Sequence, residues 1–345
     1  MIKILHSGDW HLDAPLQGNP FLRRELEKIP GRIADLCAAE GCDLMLLSGD
    51  LFDGTYSHSS FRAVYDALES VKIPVFISPG NHDYLRPDSP YEREVWPENV
   101  FIFTRQQIRW VDVPKLGCRV CGAGFQSMDC PPLLENFRSE GLAVGVFHGD
   151  PTQVNSPYNP VTRQQVAESG LAYLALGHVH KGGAFRAGDT LCAWPGCPMG
   201  KGWDETGEKG VLIVTLEETA QAKFVPLDVP RFHDLQVDAQ AGVASVLPAA
   251  GNNDFYRVTL TGEAEALDLD ALRAEFSAFP NLQLRDGTEK PVDLWQSLGQ
   301  DSFEGVYFRL LKEALESASR EEAEQILLAA KLSRQLLDGQ EVALP

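Results

Sequence analysis

The sequence predicts an α/β domain followed by a smaller α+β unit, and three observations carry that reading. From Met1 to about Pro230, short apolar runs of strand length alternate with amphipathic helical stretches. Five of those runs end in polar residues of one chemical type, where a loop would leave the carboxyl end of a strand. From about Arg231 the composition changes and turns acidic. At 345 residues and 44% hydrophobic content, the chain has material for one large core and a smaller one.

The first strand, 2–7, leads into Gly8-Asp9-Trp10-His11, and 44–48 leads into Gly49-Asp50. The run 74–78 leads into Gly80-Asn81-His82-Asp83, 142–147 into His148-Gly149-Asp150, and 171–176 into Gly177-His178-Val179-His180. Helix candidates fall at 31–40, 59–71 and 161–169, the last with Thr162-x-x-Gln165 as a capping box. After His180 come short strands without long helices, 183–186, 190–193, 211–216 and 222–227, which are expected to complete a second sheet. Pro226 and Pro230 mark a boundary. Beyond it, strand-like 255–261, a helix at 269–276 and strand-like 282–285 suggest a small α+β unit. Helices at 303–317 and 321–337 close the chain; the second has Glu321 and Glu322 in its first turn, where acidic groups suit the helix dipole, and Gly339 as its stop. The expected domains are therefore 1–230 and 231–345.

A formal net charge of −19 argues against a general polyanion binder, because affinity for nucleic acid comes largely from Lys and Arg neutralising phosphates. Residues 231–345 carry 20 acidic and 10 basic side chains, which makes that segment a poor reader of a phosphate backbone. Arg23, Arg24, Lys28 and Arg32 read as one solvated helical face. No apolar stretch nears transmembrane length and the start runs straight into a strand pattern, so the expected location is the cytoplasm, with no membrane partner. Seven scattered cysteines fit a reducing compartment, and Cys118-Arg119-Val120-Cys121 lies in an alternating, strand-like stretch with no second pair at zinc-site spacing.

The chemistry sits at the strand ends. Asp50 closes the apolar run Leu44-Met45-Leu46-Leu47 and is, taken alone, either a helix cap or a ligand. Five of the eight histidines lie in the five loops, beside Asp and Asn. Loops leaving the carboxyl ends of strands converge on one edge, so these donors would meet in one crevice. A mixed oxygen and nitrogen set suits Mn, Fe or Zn better than Mg or Ca. His6 reads as a satisfied core histidine, His58 as a surface residue or a loop contact to substrate, and His233 carries no signal.

Through Asp9-Trp10-His11, Gly49-Asp50, Gly80-Asn81-His82-Asp83, His148-Gly149 and Gly177-His178-Val179-His180, the chain resembles the calcineurin-like metallophosphoesterases over roughly residues 1–230. That resemblance implies a four-layer α/β/β/α sandwich with a two-metal centre. Asp9, His11 and His180 would hold one metal, Asn81, His148 and His178 the other, and Asp50 would bridge them. Such a pair, roughly 3.5–4 Å apart, clamps a phosphate and makes hydroxide available at neutral pH. His82, the non-ligand of its motif, would protonate the leaving oxygen or stabilise the transition state. Asp53 resembles the position that orients this histidine, and equally reads as the start of a turn at Gly54.

Within the family the chain is most similar to the SbcD-type DNA-repair exonucleases and their bacterial YhaO-like branch. The likeness rests on the stretch from Lys3 to Leu12, on Gly49-Asp50-Leu51-Phe52-Asp53, and on Trp194-Pro195-Gly196-Cys197-Pro198 followed by Glu205-Thr206-Gly207-Glu208-Lys209-Gly210. It implies Mn-dependent hydrolysis of DNA beside a coiled-coil, SMC-like ATPase, a homodimer, and a capping or accessory role for 231–345, which ends in two helices. Two other functions stay open. One is a phosphoesterase for a cyclic nucleotide or other small phosphoester, which the acidity favours. The other is a scaffold with weak catalysis, in which Leu310, Leu311, Leu315, Ile326, Leu327, Leu332 and Leu336 line a partner surface rather than a core.

Overall fold

The structure, a computed structural model, describes residues 1–339 and all their side chains but that of Gln17. Residues 340–345 of the expected second domain lie outside the described residues. In chain order the elements are β1 (Ile2–Ser7), α1 (Pro20–Glu27), α2 (Ile29–Glu40), β2 (Leu44–Leu47), α3 (His58–Ser70), β3 (Val75–Ile77), α4 (Pro90–Arg93), β4 (Val100–Ile102), β5 (Arg109–Val113) and β6 (Cys118–Gly122). Then follow β7 (Ala143–His148), α5 (Arg163–Glu168), β8 (Tyr173–Gly177), β9 (Lys181–Ala187), β10 (Thr190–Gly196), β11 (Gly210–Leu216) and β12 (Ala220–Pro226). The chain closes with β13 (Phe232–Asp238), β14 (Phe255–Thr261), α6 (Leu269–Glu275), β15 (Asn281–Asp286), α7 (Phe303–Ser317) and α8 (Arg320–Leu337).

Two six-stranded sheets dominate, in the orders β12-β11-β1-β2-β3-β4 and β5-β6-β7-β8-β10-β9. Their inner strands are apolar on both faces because both faces are covered, whereas the edge strands β5, β9 and β12 carry exposed polar residues. In β2, Leu44 and Leu46 enter the core between the sheets while Met45 and Leu47 enter the core beneath the helices. The inter-sheet core takes Ile2 and Ile4 from one sheet and Val144, Val146, Tyr173 and Ala175 from the other. Ile29, Ile33, Phe61 and Val64 cover the first sheet from α2 and α3, and Val166 of α5 joins Phe147, Leu174 and Leu176 over the second. These are the four layers α/β/β/α. Burying each large apolar side chain contributes about 1.5–3 kcal/mol.

Several features depart from the expectation, among them β4, β5, α4 and β13, which have no counterpart in the sequence pattern. β9 and β10 extend the second sheet, but β11 and β12 join the first, with β11 antiparallel to β1 at Leu5↔Ile213. The reason is cover: Val211 and Ile213 enter the helix-side core while Leu212, Val214 and Leu216 enter the inter-sheet core, so β11 needs both faces buried. Another departure is α1, which the sequence pattern gives only as part of one cationic helical face and which ends before α2 begins. Its start is specified by Asn19, whose side chain accepts from the amides of Phe21 and Leu22, with Pro20 in the first turn. Arg23, Arg24 and Lys28 are exposed, but Arg32 belongs to α2, is half-buried and donates to Glu25 at 2.7 Å, so the four do not form one solvated helical face. The capping box of Thr162 and Gln165 is formed.

The chain makes two compact units. One comprises residues 1–234 with 252–256 and 279–281; the other comprises 235–251, 257–278 and the chain from Leu282 on. A third sheet has the order β13-β14-β15. In the second unit Ser319 and Glu322 form a capping box at the start of α8, and buried Arg334 bonds Glu304 and Ser297 with its guanidinium over the Phe308 ring. Leu310, Leu327 and Leu336 are exposed, whereas Leu311, Leu315, Ile326 and Leu332 are half-buried. Among the described residues no helix is long and apolar enough to cross a membrane.

His6 is the core histidine that the sequence suggests. Tyr173 Oη donates to its Nδ1 at 2.7 Å, its Nε2 donates to Ser48 Oγ at 3.1 Å, and Ser48 Oγ donates on to the Ser7 carbonyl. Burial pushes its pKa down from 6.5 to about 3. Between those values the unfolded chain binds one more proton than the fold, so stability falls as pH drops through that window. His6→Gln is expected to lessen the loss between pH 6.5 and 4 by up to about 1.4 kcal/mol per pH unit, read from urea unfolding.

Candidate metal centre

β1, β2 and β3 run parallel in one sheet, as do β7 and β8 in the other, so five strand ends open toward one place. The chain turns there by unusual backbone. Asp9, His11, Asp50 and His178 hold φ of 54°, 50°, 51° and 89°, a left-handed region that costs non-glycine residues about 1–3 kcal/mol each and persists only where surroundings enforce it. The enforcement is visible. Asp9 and His11 amides donate to the Gly49 and Asp50 carbonyls at 2.9 Å, and the Asp83 carboxylate accepts from the amides of Asp50, Leu51, Phe52 and Gly80 and from Tyr91 Oη. Gly80 is needed because a Cβ would stand 2.2 Å from Asp50 Oδ1.

The structure brings all nine sequence-predicted residues together. Asp9, His11, Asp50, Asn81 and His148 are buried, His178, His180 and Asp53 are half-buried, and the His82 side chain is 45% exposed. Ligand atoms of Asp9, His11 and His180 lie within 4.8 Å of one another, and so do those of Asp9, Asp50 and His148. Asp9 therefore reaches both halves of the site. Asn81 Oδ1 stands 2.8 Å from His148 Nε2 and 3.2 Å from His178 Nδ1. Asp50 Oδ2 stands 3.7 Å from His11 Nε2 and 3.4 Å from His148 Nε2.

The tautomers follow from the partners. His11 Nδ1 donates to Asp53 Oδ1 at 3.1 Å, His180 Nδ1 donates to Glu205 Oε1 at 2.5 Å, and His148 Nδ1 donates to the Ser48 carbonyl at 2.9 Å. In these tautomers each ring turns its Nε2 inward, and His11 Nε2 and His180 Nε2 face each other at 3.0 Å. Burial keeps His11, His148 and His178 neutral, lowering His11 to about 3, His178 to about 4, and His148 as well. Burial also raises Asp9, and burial with the neighbouring Asp83 carboxylate raises Asp50. Neutral imidazoles and buried acids are the chemistry of a divalent-cation site. The residues fit.

A family model described as calcineurin-like phosphoesterase matches residues 2–182, over half of the chain. The chain belongs to that family. Calcineurin-like phosphoesterases use divalent metal ions and hydrolyse phosphate esters. The chain is 30% identical over 235 residues to the metallophosphoesterase YhaO of Bacillus subtilis, a match covering 62% of this chain and 57% of that protein. It is 24% identical over 269 residues to the SbcD component of the SbcCD nuclease from the same organism, covering 65% and 68%. A solved dimetal phosphatase from Danio rerio aligns at 12% identity and a TM-score of 0.43, over 65% of this chain and 96% of that one.

Further residues shape the site in roles that the sequence does not reveal. Asp83 closes the Gly80-Asn81-His82-Asp83 motif, yet its part in binding the surrounding amides shows only in the fold, and the same holds for Glu205 and Lys201 beside His180. His58 is exposed, and His233 pairs with Asp254 at 3.0 Å and stacks on Tyr256.

Proposed function

We propose that the chain is a two-metal phosphodiesterase whose substrate is DNA, degraded from its ends in the manner of the SbcD-type exonucleases. The observation that carries the hydrolytic part is the convergence of imidazole nitrogens with carboxylate and amide oxygens at the strand ends, a donor set that suits a divalent cation. Asp9, His11 and His180 would hold one ion, Asn81, His148 and His178 the other, with Asp50 shared. The mixed donor set suits manganese, with iron and zinc as competitors. Bound there, the ions would supply positive charge to the phosphate and bring the pKa of a water near neutrality.

The chain's own groups do the rest. His82 is the most exposed imidazole of the set and can meet a leaving oxygen, while Asp53 Oδ1, 2.8 Å from His82 Nδ1, keeps a proton on that nitrogen. Residues 1–230 would carry this chemistry and 231–345 would cap or extend it. The DNA substrate leans on the nuclease relative, whose name makes it one component of a larger enzyme. A coiled-coil ATPase belongs to the same reading, and Leu310, Leu327 and Leu336, exposed by 59%, 40% and 64%, offer an apolar surface for a partner.

With Mn²⁺ present, the full chain is expected to degrade single- or double-stranded oligonucleotides to short products on a sequencing gel. Hydrolysis of bis(p-nitrophenyl) phosphate or a cyclic nucleotide with every oligonucleotide left intact would move the substrate to a small phosphoester, the reading the −19 charge favours.

A further inference from the structure

We infer that Glu205 is a positioning residue for the first cation: it fixes His180 in the one tautomer and orientation that turns Nε2 inward, and Lys201 cancels its charge. The inference rests on His180 being a ligand, as proposed above. Glu205 lies on the loop between β10 and β11 and is 8% exposed. Its two oxygens have different work. Oε1 accepts from His180 Nδ1 at 2.5 Å and pairs with Lys201 Nζ at 3.1 Å, while Oε2 accepts from the Lys201 amide at 2.7 Å.

That division makes the carboxylate irreplaceable by its amide. A glutamine side chain has one acceptor and one donor end. If its oxygen keeps the bond to the immobile Lys201 amide, its NH₂ faces His180 Nδ1. The ring must then accept at Nδ1 and carry its proton on Nε2, where it blocks the cation. The alternative rotation sets NH₂ against the Lys201 N–H. Only a carboxylate accepts on both sides.

Lys201 has a second consequence. Ligand atoms of His180, Cys197 and Glu205 also lie within 4.8 Å of one another, a grouping that resembles a third cation site. The Lys201 ammonium is buried beside it, with no well-formed hydrogen bond among the described residues and only the ion pair to Glu205. It stands in for a cation there, so Glu205 can hold His180 without adding net negative charge to the site. His11 has the matching arrangement, its Nδ1 held by Asp53 and its Nε2 3.0 Å from that of His180.

The test titrates Mn²⁺ into the full-length apoprotein by calorimetry, beside Glu205→Gln, Lys201→Met and His180→Ala. Glu205→Gln is expected to bind one of two Mn²⁺ about 10–100-fold more weakly, the usual cost of losing a partner behind a ligating histidine. Nitrogen NMR of the apoproteins is expected to place the His180 proton on Nδ1 in the parent and on Nε2 in Glu205→Gln, a change that a purely structural role would not produce. Lys201→Met is expected to bind both ions no more weakly than the parent. Unchanged Mn²⁺ affinities in Glu205→Gln while His180→Ala loses one ion would overturn the inference alone. Unchanged affinities in His180→Ala would overturn it together with the ligand assignment. Should Glu205→Gln fail to fold, Lys201→Met decides: equal loss of both ions there means that the pair only supports the loop.

Discussion

Replacing His82 by alanine is expected to lower kcat on a phosphodiester by about 10²–10⁴-fold while the metal content stays at that of the parent protein. The reason lies in which atoms face where. The His82 amide, not its ring, donates to Asp50 Oδ1 at 2.9 Å, so truncating the ring spares the contact nearest the cation positions. Asp53→Asn should behave differently. One oxygen, Oδ1, accepts from both His82 Nδ1 and His11 Nδ1, at 2.8 and 3.1 Å, so its charge serves the acid and a ligand at once. That substitution should weaken Mn²⁺ binding as well as turnover. It should also shift the pH profile. The hydrogen bond to Asp53 raises the pKa of His82 and keeps its acid form present at higher pH. Without that charge, the alkaline limb of kcat/KM should move to lower pH. Metal lost in His82→Ala, or an alkaline limb that stays in place in Asp53→Asn, would contradict this division of labour.

Much of the fold is legible because doubly covered strands write themselves as unbroken apolar runs. Leu44 to Leu47 needs no period to be recognised, since every residue enters one core or the other. Helix termini are legible where a local rule fixes them, as at Thr162. Sheet membership is not. β11 is an apolar run like the others, and its place beside β1 rather than β10 depends on cover from both sides, which no local pattern encodes. α1 carries a plain start signal in Asn19-Pro20, masked by the cationic face that follows.

The nine site residues are legible for a related reason. Each lies at the end of a strand or in the loop that follows it, close to a glycine, so loop and donor arrive together in sequence. Glu205 has no such mark. It stands 25 positions beyond His180, on a loop whose return is set by tertiary packing. Asp83 is adjacent to the motif's donors, yet its meaning lies in partners from residues 50–52, 80 and 91, which meet only in the fold. Donors that point into a crevice leave a local signature; of the groups that hold them, only Asp53, close behind Asp50, shares it.

Asp50→Asn is the substitution from which the largest loss is expected, and its effect should be visible without substrate. Asp50 Oδ1 accepts the His82 amide, so an asparagine would keep its oxygen there and turn NH₂ toward the place of Oδ2. That place faces the lone pairs of His11 Nε2 at 3.7 Å and His148 Nε2 at 3.4 Å. The amide would donate to them, doing within the protein what a cation does from outside. Burial and the nearby Asp83 raise the Asp50 carboxyl to about 7, so the parent apoprotein keeps a destabilised group that a bound cation would relieve. Two thermal results follow. Without metal, Asp50→Asn should melt no lower than the parent. With Mn²⁺ at 100 times the dissociation constant, the parent should gain about 2.7 kcal/mol by mass action, while the variant gains almost nothing and has lost its phosphodiesterase activity. A variant stabilised by Mn²⁺ as strongly as the parent would show that Asp50 is not the shared ligand, and that the pull on both ions comes from Asp9, whose carboxylate also reaches both groups.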